Sequence, residues 1–379
     1  MAQRIGVLGG GQLGMMLFEA SDSSKEELFF LDPNPACSCA QVGASVTTGD
    51  FKDEQAVLDF GADKDIITVE IEHVHVGALR KLKARGKKVY PDPDILAVIQ
   101  DKGAQKQFYE SNGLPTAPFR LLESGQGAVV QEEPTPFVLK SRRGGYDGQG
   151  VSVIRDEKMR AKGMEGPVVL EKLIPFHKEI AVIAARNALG ETKTFPAVAM
   201  DFDPEANLVN ALYSPADIPM EVEDEASRIA TRLVQELELV GVLAVEFFML
   251  GDGSLLINES APRPHNSGHH TIEANMTSQY AQHLNAICGR SLGSTAIKQP
   301  SVMVNLLGAP GHIGKRRILG RDRLDHARGE FLHDYHKQET RPMRKMGHIT
   351  VLDDSLDSAL DRALKLQNEV RFVAEESIS

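Results

Sequence analysis

Residues 4–14 read RIGVLGGGQLG, in which an apolar strand runs into the glycine pattern GxGxxG and the start of a helix. The helical stretch covers residues 13–20, and the next apolar strand, at residues 28–31, ends at Asp32. Glycines let a backbone turn approach an anion, and a helix N-terminus supplies N–H donors. The turn is therefore a candidate site for NAD or FAD or for another phosphate ligand, or else a tight turn without a ligand. The order strand, turn, helix, strand predicts a parallel α/β sheet.

The pattern of predicted strands and helices changes twice along the rest of the chain. Strands alternate with helices up to about residue 100, where a boundary at residues 91–93 precedes a predicted helix at residues 95–111. Short strands with little helix between them follow, and a small mixed region begins near residue 300. The predicted fold class is thus a multidomain α/β and α+β chain. Its other predicted elements are strands at residues 65–72, 87–90, 137–140, 151–154, 168–173, 180–185, 243–250 and 255–259 and helices at residues 77–85, 223–239 and 355–369.

The overall charge limits the partners of the chain. Its 42 basic and 53 acidic residues give a net charge of −11, opposite to the basic face that nucleic-acid binding requires. No run of about 18 apolar residues could span a membrane, and the N-terminus lacks the pattern of a secretory signal. We therefore expect a cytoplasmic protein without a nucleic-acid or membrane partner, in which Cys37, Cys39 and Cys288 are free thiols.

A second glycine-rich segment follows a strand that ends in Lys140. Residues 141–150 read SRRGGYDGQG, and an apolar strand resumes at residues 151–154. The segment is not a Walker A loop, because no GK[ST] sequence precedes a helix. We interpret it as a glycine-rich hairpin, with Lys140 at its base, that covers nucleotide phosphates. The alternative is a flexible surface hairpin without a ligand.

Two glutamates lie in apolar strands on either side of an Asp-Gly turn. Residues 243–259 read LAVEFFMLGDGSLLINE, and a two-residue loop at residues 252–253 would set Glu246 opposite Glu259. Opposed residues have Cβ atoms about 4.5–5.5 Å apart, so the two carboxylates would repel unless a cation joined them. Mg²⁺ is the favoured ion, with Asn258 as a further oxygen ligand. A one-residue slip would instead leave one acid in solvent.

Polar and basic residues follow this hairpin. The block at residues 260–270 reads SAPRPHNSGHH and supplies either substrate contacts or hydrogen-bonded structural histidines. A late basic group is either a phosphate or carboxylate site or a solvated face. It consists of Lys337, Arg341, Arg344 and Lys345.

Four motifs together resemble the ATP-grasp superfamily and, within it, the family of 5-(carboxyamino)imidazole ribonucleotide synthases of purine biosynthesis. The motifs are GGGQLG at residues 9–14, RRGGYDGQG at 142–150, INESAPRPHNSGH at 257–269 and RPMRKMGHI at 341–349. Any one of them is modestly specific, whereas all four in this order are highly specific. The resemblance covers nearly the whole chain.

The resemblance implies a Rossmann-like pre-ATP-grasp domain at residues 1–100, a two-lobed ATP-grasp domain at 101–299 with a glycine-rich lid lobe at about 119–175, and a small C-terminal domain at 300–379. It also implies a homodimeric, ATP- and Mg²⁺-dependent carbon–nitrogen ligase. ATP would convert bicarbonate to carboxyphosphate. The carboxyl group would then pass to the exocyclic amine of 5-aminoimidazole ribonucleotide, giving 5-(carboxyamino)imidazole ribonucleotide, ADP and phosphate.

The same resemblance assigns roles to single residues. The implied ATP-binding residues are Lys102, Lys140, Tyr146, Asp147, Gly148, Gln149, Gly150, Glu171, Lys172, Leu173, Ile174, Glu179, Asn258 and Glu259. The implied metal ligands are Glu246 and Glu259, and the implied catalytic residues are Arg263, His265, Asn266 and Asp147. The implied ribonucleotide-binding residues are Gly11, Gln12, Leu13, Glu70, Glu72, Tyr146, Asp147, Arg263, Ser267, Lys337 and Arg344. Lys102 stands where we expect the family to have an arginine, so its phosphate contact would lack a bidentate fork.

Three other functions fit parts of the sequence. Another ATP-grasp ligase, such as a formate-using transformylase or an acid–amine ligase, would not depend on bicarbonate. An NAD-linked oxidoreductase would use the turn at residues 9–14 and Asp32, but it leaves the carboxylate hairpin unexplained. A nucleotide-sensing protein would bind ATP without turnover.

Overall fold

The computed structural model describes residues 2–144, 150–203 and 208–375. Tyr146, Asp147, Gly148 and Gln149 of the predicted glycine-rich loop lie outside these ranges. None of the described helices combines the length and the apolar character that crossing a bilayer requires.

The N-terminal domain is a parallel five-stranded sheet with the strand order β3-β2-β1-β4-β5. Ile5 and Val7 pack with helix residues on one face, and Leu8 packs with those on the other, so β1 is buried on both sides. The elements are β1 (Gln3–Leu8), α1 (Gln12–Glu19), β2 (Glu26–Asp32), α2 (Ser38–Gln41), β3 (Ser45–Thr48), α3 (Glu54–Gly61), β4 (Ile66–Val69), α4 (Val76–Ala84), β5 (Lys88–Val89) and α5 (Pro93–Ile99).

The single helix predicted at residues 95–111 is wrong. Helix α5 ends at Ile99, and a separate helix, α6 (Lys102–Ser111), begins after Asp101. The Asp101 carboxylate accepts hydrogen bonds from the backbone N–H groups of Gly103 (2.9 Å) and Ala104 (3.3 Å), which is the contact of an N-cap. The break makes Lys102 the first residue of a new helix.

The next segment forms a four-stranded antiparallel sheet with the order β6-β9-β7-β8, which we call the lid sheet. The predicted glycine-rich hairpin is confirmed, because β7 and β8 are antiparallel neighbours with Lys140 opposite Val151. The elements are β6 (Phe119–Leu122), α7 (Ala128–Glu132), β7 (Phe137–Ser141), β8 (Val151–Ile154), α8 (Glu157–Lys162) and β9 (Val168–Lys172).

A nine-stranded sheet, called here the central sheet, carries the carboxylate hairpin at one edge. The amphipathic helix α9 buries Ala226, Ile229 and Leu233 against it, as their helical spacing predicts. The elements of this part are β10 (Lys178–Arg186), β11 (Thr192–Thr194), β12 (Val198–Asp203), β13 (Leu208–Ser214), α9 (Met220–Glu236), β14 (Gly241–Met249), β15 (Leu255–Ala261), α10 (Thr271–Ala274) and α11 (Gln279–Ile287).

The C-terminal part extends the central sheet. Strand β16 pairs with β13, and β20 and β18 follow, so the full order is β15-β14-β10-β12-β13-β16-β20-β18 with β11 beside β10. Three further strands form a small sheet in the order β19-β17-β21. The predicted class, α/β and α+β multidomain, is confirmed. The elements are β16 (Ser301–Leu307), β17 (Gly314–Leu319), β18 (Glu330–Asp334), β19 (Glu339–Thr340), β20 (Lys345–Leu352), α12 (Leu356–Glu369) and β21 (Arg371–Ala374).

Candidate active site

A cavity of about 540 Å³ lies where the N-terminal domain, helix α6, the carboxylate hairpin and strand β20 meet. It brings together residues that are far apart in the sequence and that sequence analysis had assigned to ligands. These are Gln12, Leu13, Glu70, Glu72, Lys102, Glu246, Glu259, Arg263, His265, Asn266 and Ser267. The cavity is therefore the candidate active site.

The opposition of Glu246 and Glu259 is confirmed, but the predicted two-residue loop is wrong. Strand β14 ends with Met249 opposite Leu255, so the connection spans five residues instead of two. That longer loop alone would shift the register by one. A β-bulge at Asn258 adds one residue to β15 and restores the pairing of Glu246 with Glu259. Both glutamates consequently line the same cavity.

The two carboxylates have different electrostatic surroundings. Burial, and then the charge of Glu259, raise the pKa of the Glu246 carboxyl. The Lys102 ammonium forms an ion pair with Glu259 and holds the pKa of that carboxyl well below its usual range. The His265 ring lies 3.8 Å from Glu246, measured from Nε2 to Oε1. The pair thus combines a Glu259 carboxylate that a lysine keeps ionised with a Glu246 carboxyl that burial and its neighbour shift toward the protonated form.

This donor set fits a hard divalent cation. Two opposed carboxylates are ligands that Mg²⁺ accepts, usually together with phosphate oxygens, whereas the Asn258 amide oxygen accepts a hydrogen bond from Lys140. Across the described part of the chain, no group of three histidine, cysteine, aspartate or glutamate side chains forms a metal cluster by itself. A metal here would therefore take its remaining ligands from a substrate or from water.

Lys140, at the end of β7, is held between the lid sheet and the hairpin. Its ammonium donates to Asn258 Oδ1 (2.9 Å) and lies 3.0 Å from Glu171 Oε2. Glu171 is 2% exposed and also pairs with Lys106 at 3.2 Å. The side chain of Glu171 therefore points into an ion-pair network. Lys106 is not among the predicted site residues, although its position four residues after Lys102 on a helix places both lysines on one face.

Four further described residues assigned to ATP, Lys172, Leu173, Ile174 and Glu179, lie outside the lining of the cavity. Lys172 is the last residue of β9, and Leu173 and Ile174 follow it. Glu179 on β10 is partly buried, which raises the pKa of its carboxyl to about 7. The Gly150 carbonyl accepts a hydrogen bond from the backbone N–H of Ser141 (2.7 Å) at the base of the glycine-rich hairpin.

The N-terminal glycine turn is occupied by the protein's own carboxylates. Glu70 accepts hydrogen bonds from the backbone N–H groups of Gly11 (2.8 Å) and Gly14 (3.0 Å), and Asp32 accepts one from Gly10 (2.7 Å). A dinucleotide would need these donors for its pyrophosphate and the aspartate for its ribose. The oxidoreductase alternative is therefore wrong. The strand predicted at residues 65–72 is also too long, because β4 ends at Val69 and Glu70 turns back to the glycines.

Arg263 and His265 form the wall next to the hairpin. The Arg263 Nε atom lies 2.7 Å from Glu72 Oε1, so Glu72 orients the guanidinium. Burial, and then the nearby cation of Arg263, lower the pKa of His265 to about 4, which keeps the imidazole neutral at pH 7. Its Nδ1 atom is 2.9 Å from the Ser267 hydroxyl. The fixed positive charge of this wall comes from Arg263.

The late basic group reaches the cavity through Lys345, which sequence analysis named without a role. Lys337 donates to the Lys345 carbonyl (2.7 Å), and Arg344 donates to the Glu339 carbonyl (2.7 Å). Neither of these two side chains lines the cavity. Their assignment to a substrate phosphate stays a prediction.

The fold and the site define a class of protein. A glycine-rich lid sheet whose lysine faces a carboxylate hairpin on a second sheet, next to a Rossmann-like domain, is the arrangement of ATP-grasp ligases. Three family models match in the same order. They are a ribonucleotide synthetase preATP-grasp domain (residues 1–100), an ATP-grasp domain (107–280) and a phosphoribosylaminoimidazole carboxylase C-terminal domain (301–362).

Individual relatives narrow the class. The chain is 36% identical to the N5-carboxyaminoimidazole ribonucleotide synthase of Bacillus subtilis (strain 168), over 93% of this chain and 92% of that protein. The corresponding synthetase structure from Thermotoga maritima is 39% identical, with a TM-score of 0.90, and the match covers 98% of this chain and 100% of that one. The chain belongs to the N5-carboxyaminoimidazole ribonucleotide synthase family, and it is an ATP-dependent ligase, as the motifs predict.

A third similar structure is the synthase of Aspergillus clavatus in complex with ADP and 5-aminoimidazole ribonucleotide. It is 29% identical, with a TM-score of 0.85, and the match covers 97% of this chain and 99% of that one.

Proposed function

We propose that the chain uses ATP and bicarbonate to carboxylate the exocyclic amine of 5-aminoimidazole ribonucleotide. The products are 5-(carboxyamino)imidazole ribonucleotide, ADP and phosphate. The observation that carries the proposal is one cavity that holds a carboxylate pair, a neutral histidine and an arginine beside the glycine turn. The ADP and 5-aminoimidazole ribonucleotide bound to the Aspergillus clavatus synthase support the same substrates.

The nucleotide end of the reaction uses Lys140 and Lys102. Both ammonium groups lie beside the carboxylate hairpin, where they can neutralise phosphate oxygens. Glu246 and Glu259 would hold Mg²⁺, which, when bound, neutralises the charge that develops on the transferred phosphoryl group. Lys102 then exchanges its contact with Glu259 for one with phosphate. Leu173 and Ile174, which follow β9, and Glu179 bind the adenosine part of ATP.

The carboxylation end uses Arg263, His265 and Asn266. Bicarbonate oxygen attacks the γ-phosphorus of ATP, ADP leaves, and the resulting carboxyphosphate lies against the Arg263 guanidinium. The neutral His265 ring donates or accepts a hydrogen bond without adding a charge. The amine nitrogen then bonds to the carboxyl carbon as phosphate departs, and the amine proton leaves. Holding the amine next to this short-lived species is a proximity effect.

The ribonucleotide occupies the part of the cavity lined by Gln12, Leu13, Ser267 and Lys345. Glu70 and Glu72 both line this part, but each already has protein partners. Glu70 holds the glycine turn and Glu72 holds Arg263. Their role is to shape and orient the wall of the site. A homodimer and a cytoplasmic location complete the proposal as predictions.

The test is the rate of ADP release from Mg-ATP, measured with 5-aminoimidazole ribonucleotide in buffer that is either free of bicarbonate or supplemented with it. We expect strong release only when both are present, together with formation of the carboxylated product. Replacing bicarbonate with formate is the control. Release that needs formate, or that ignores the ribonucleotide, would contradict the proposal and indicate another ATP-grasp ligase.

A further inference from the structure

Lys106 is a buried lysine that the proposed reaction does not use. It lies on α6 one helical turn after Lys102, is 3% exposed, and does not line the cavity. Its ammonium donates to the Thr116 hydroxyl (2.7 Å) and lies 3.2 Å from Glu171 Oε1. A fully buried lysine is rare because the desolvation of its ammonium is costly. Thr116 and Glu171 compensate that cost through a hydrogen bond and an ion pair.

Glu171 connects this lysine to the nucleotide end of the site. Its second oxygen, Oε2, lies 3.0 Å from the ammonium of Lys140, which in turn donates to Asn258 (2.9 Å). Glu171 and Lys140 are 2% and 7% exposed, so little solvent screens the three charges from one another. Two lysines therefore share one buried carboxylate.

The sharing has an electrostatic consequence. One carboxylate neutralises one ammonium, so the group of Lys106, Glu171 and Lys140 keeps one net positive charge. If Lys106 were neutral, Glu171 would be paired with Lys140 alone and the group would carry no net charge. Burial lowers the pKa of Lys106 to about 8, and Glu171 opposes this shift, so the lysine stays largely charged at neutral pH.

A second contact ties Lys106 to the hairpin. The Thr116 hydroxyl that accepts from Lys106 donates to the carbonyl of Ile257 (2.9 Å), the residue before Asn258. Lys106 is thereby linked to both partners of Lys140, through Glu171 on the lid sheet and through β15 on the central sheet.

We propose that Lys106 is a positioning residue. By pairing with one carboxylate oxygen of Glu171, it offsets part of the negative charge that Lys140 faces, so that the charge of Lys140 stays available for the phosphates of ATP. This inference rests on the proposed function, in which Lys140 contacts those phosphates. Lys106 itself does not touch the nucleotide.

The first experiment measures the dissociation constant of ATP by calorimetry for the full chain and for Lys106→Met. The variant should bind ATP about tenfold more weakly, because one buried charge near the phosphates is lost. Its KM for ATP should rise while its KM for 5-aminoimidazole ribonucleotide stays unchanged. Lys106→Gln, which keeps a donor for Thr116 without the charge, should behave in the same way and serves if the methionine variant fails to fold.

The matched control is Lys64→Met. Lys64 is 5% exposed and pairs with Asp63 in the N-terminal domain, away from the cavity lining. Replacing it removes a buried lysine of the same chain without touching Glu171. Its affinity for ATP should equal that of the wild type.

The double variant Lys106→Met with Glu171→Gln separates positioning from a merely structural role. Removing the carboxylate frees Lys140 again, so the double variant should bind ATP several-fold more tightly than Lys106→Met alone. If the two changes instead weaken ATP binding additively, or if Lys106→Met binds ATP normally, the inference is overturned. A wild-type chain that does not bind ATP would refute the proposed function and this inference together. A chain that binds ATP without stimulation by the ribonucleotide would refute the substrate and leave the role of Lys106 intact.

Discussion

Two pairs of acidic residues, one at the glycine turn and one at the carboxylate hairpin, are held by different kinds of partner. At the glycine turn, Asp32 and Glu70 accept hydrogen bonds from four backbone N–H groups, those of Gly10, Gly11, Gly14 and Asn34. At the hairpin, Glu246 and Glu259 face each other across two strands, with Lys102 paired to Glu259. Fixed backbone donors hold the first pair, whereas the side chain of a lysine holds one member of the second. The two pairs therefore differ in how their charges are compensated.

The largest effect is expected at the hairpin. Glu246→Ala and Glu259→Ala should each reduce ATP turnover by about a thousandfold or more, because each removes a ligand of the proposed Mg²⁺, which would neutralise the developing phosphoryl charge. The measurement is ADP release in the presence of all substrates, with circular dichroism to verify the fold. Glu221→Ala, at an exposed position of α9, is the control and should retain full activity. Near-normal turnover in either hairpin variant would show that the hairpin pair is not needed for ATP turnover.

The second effect tests whether Glu70 substitutes for an external anion. Glu70→Ala leaves the N–H groups of Gly11 and Gly14 without their acceptor and should lower the free energy of unfolding by about 2–3 kcal/mol. Sulfate should then raise the melting temperature of the variant more than that of the wild type, since a helix N-terminus binds anions. The exposed change Glu27→Ala is the control. A sulfate response equal to that of the wild type would mean that the turn has no anion site to uncover.

The third effect concerns the exchangeable lysine. Lys102→Met removes the partner of Glu259 and should cost about 1–2 kcal/mol of stability without Mg²⁺, because two close carboxylates then repel each other. Mg²⁺ should stabilise this variant more than the wild type, which thermal unfolding at several Mg²⁺ concentrations would measure. Lys102→Arg keeps the charge and should resemble the wild type. An identical response to Mg²⁺ in the methionine variant would show that Lys102 does not compensate the pair.

The smallest effect is a pH dependence at Glu179, which belongs to neither pair. Its pKa is raised from 4.5 to about 7, so its contribution to stability is present below pH 4.5 and is lost as the pH rises through 7. Glu179→Gln should therefore gain roughly 1–2 kcal/mol over the wild type at pH 8, after allowance for partial solvent exposure, and nothing at pH 4.5. Denaturant unfolding at both pH values tests this. A gain that is equal at both would contradict the burial of this carboxylate.

The hairpin illustrates what the sequence can predict. The alternation of apolar residues and the Asp-Gly turn predict Glu246 opposite Glu259, and the structure has this pair. The loop is longer than predicted, however, and an unpredicted bulge at Asn258 compensates for the extra length. Bulges depend on how neighbouring strands and the central sheet pack, and the hairpin residues alone do not encode that packing.

The glycine turn and Lys106 illustrate what the sequence could not predict. The GxGxxG pattern is the same whether a phosphate or a carboxylate receives its N–H groups, and the carboxylate that does so comes from Glu70, directly after another strand. A lysine on a helix is most often exposed, so the burial of Lys106 depends on Glu171 and Thr116 arriving from elsewhere. In both places long-range contacts decide the role of a local pattern.

The continuity of the central sheet makes the C-terminal part indispensable. Residues on both sides of position 300, such as Ala211 and Val302, are buried in one cluster, and residues 211–214 of β13 pair with residues 301–304 of β16. A gene shortened at that position would encode a protein whose β13 has an unpaired edge, and such edges recruit other chains. The fragment would accumulate as insoluble aggregates. Evolution could therefore lengthen or shorten this chain after β21 far more easily than it could exchange its last eighty residues for another module.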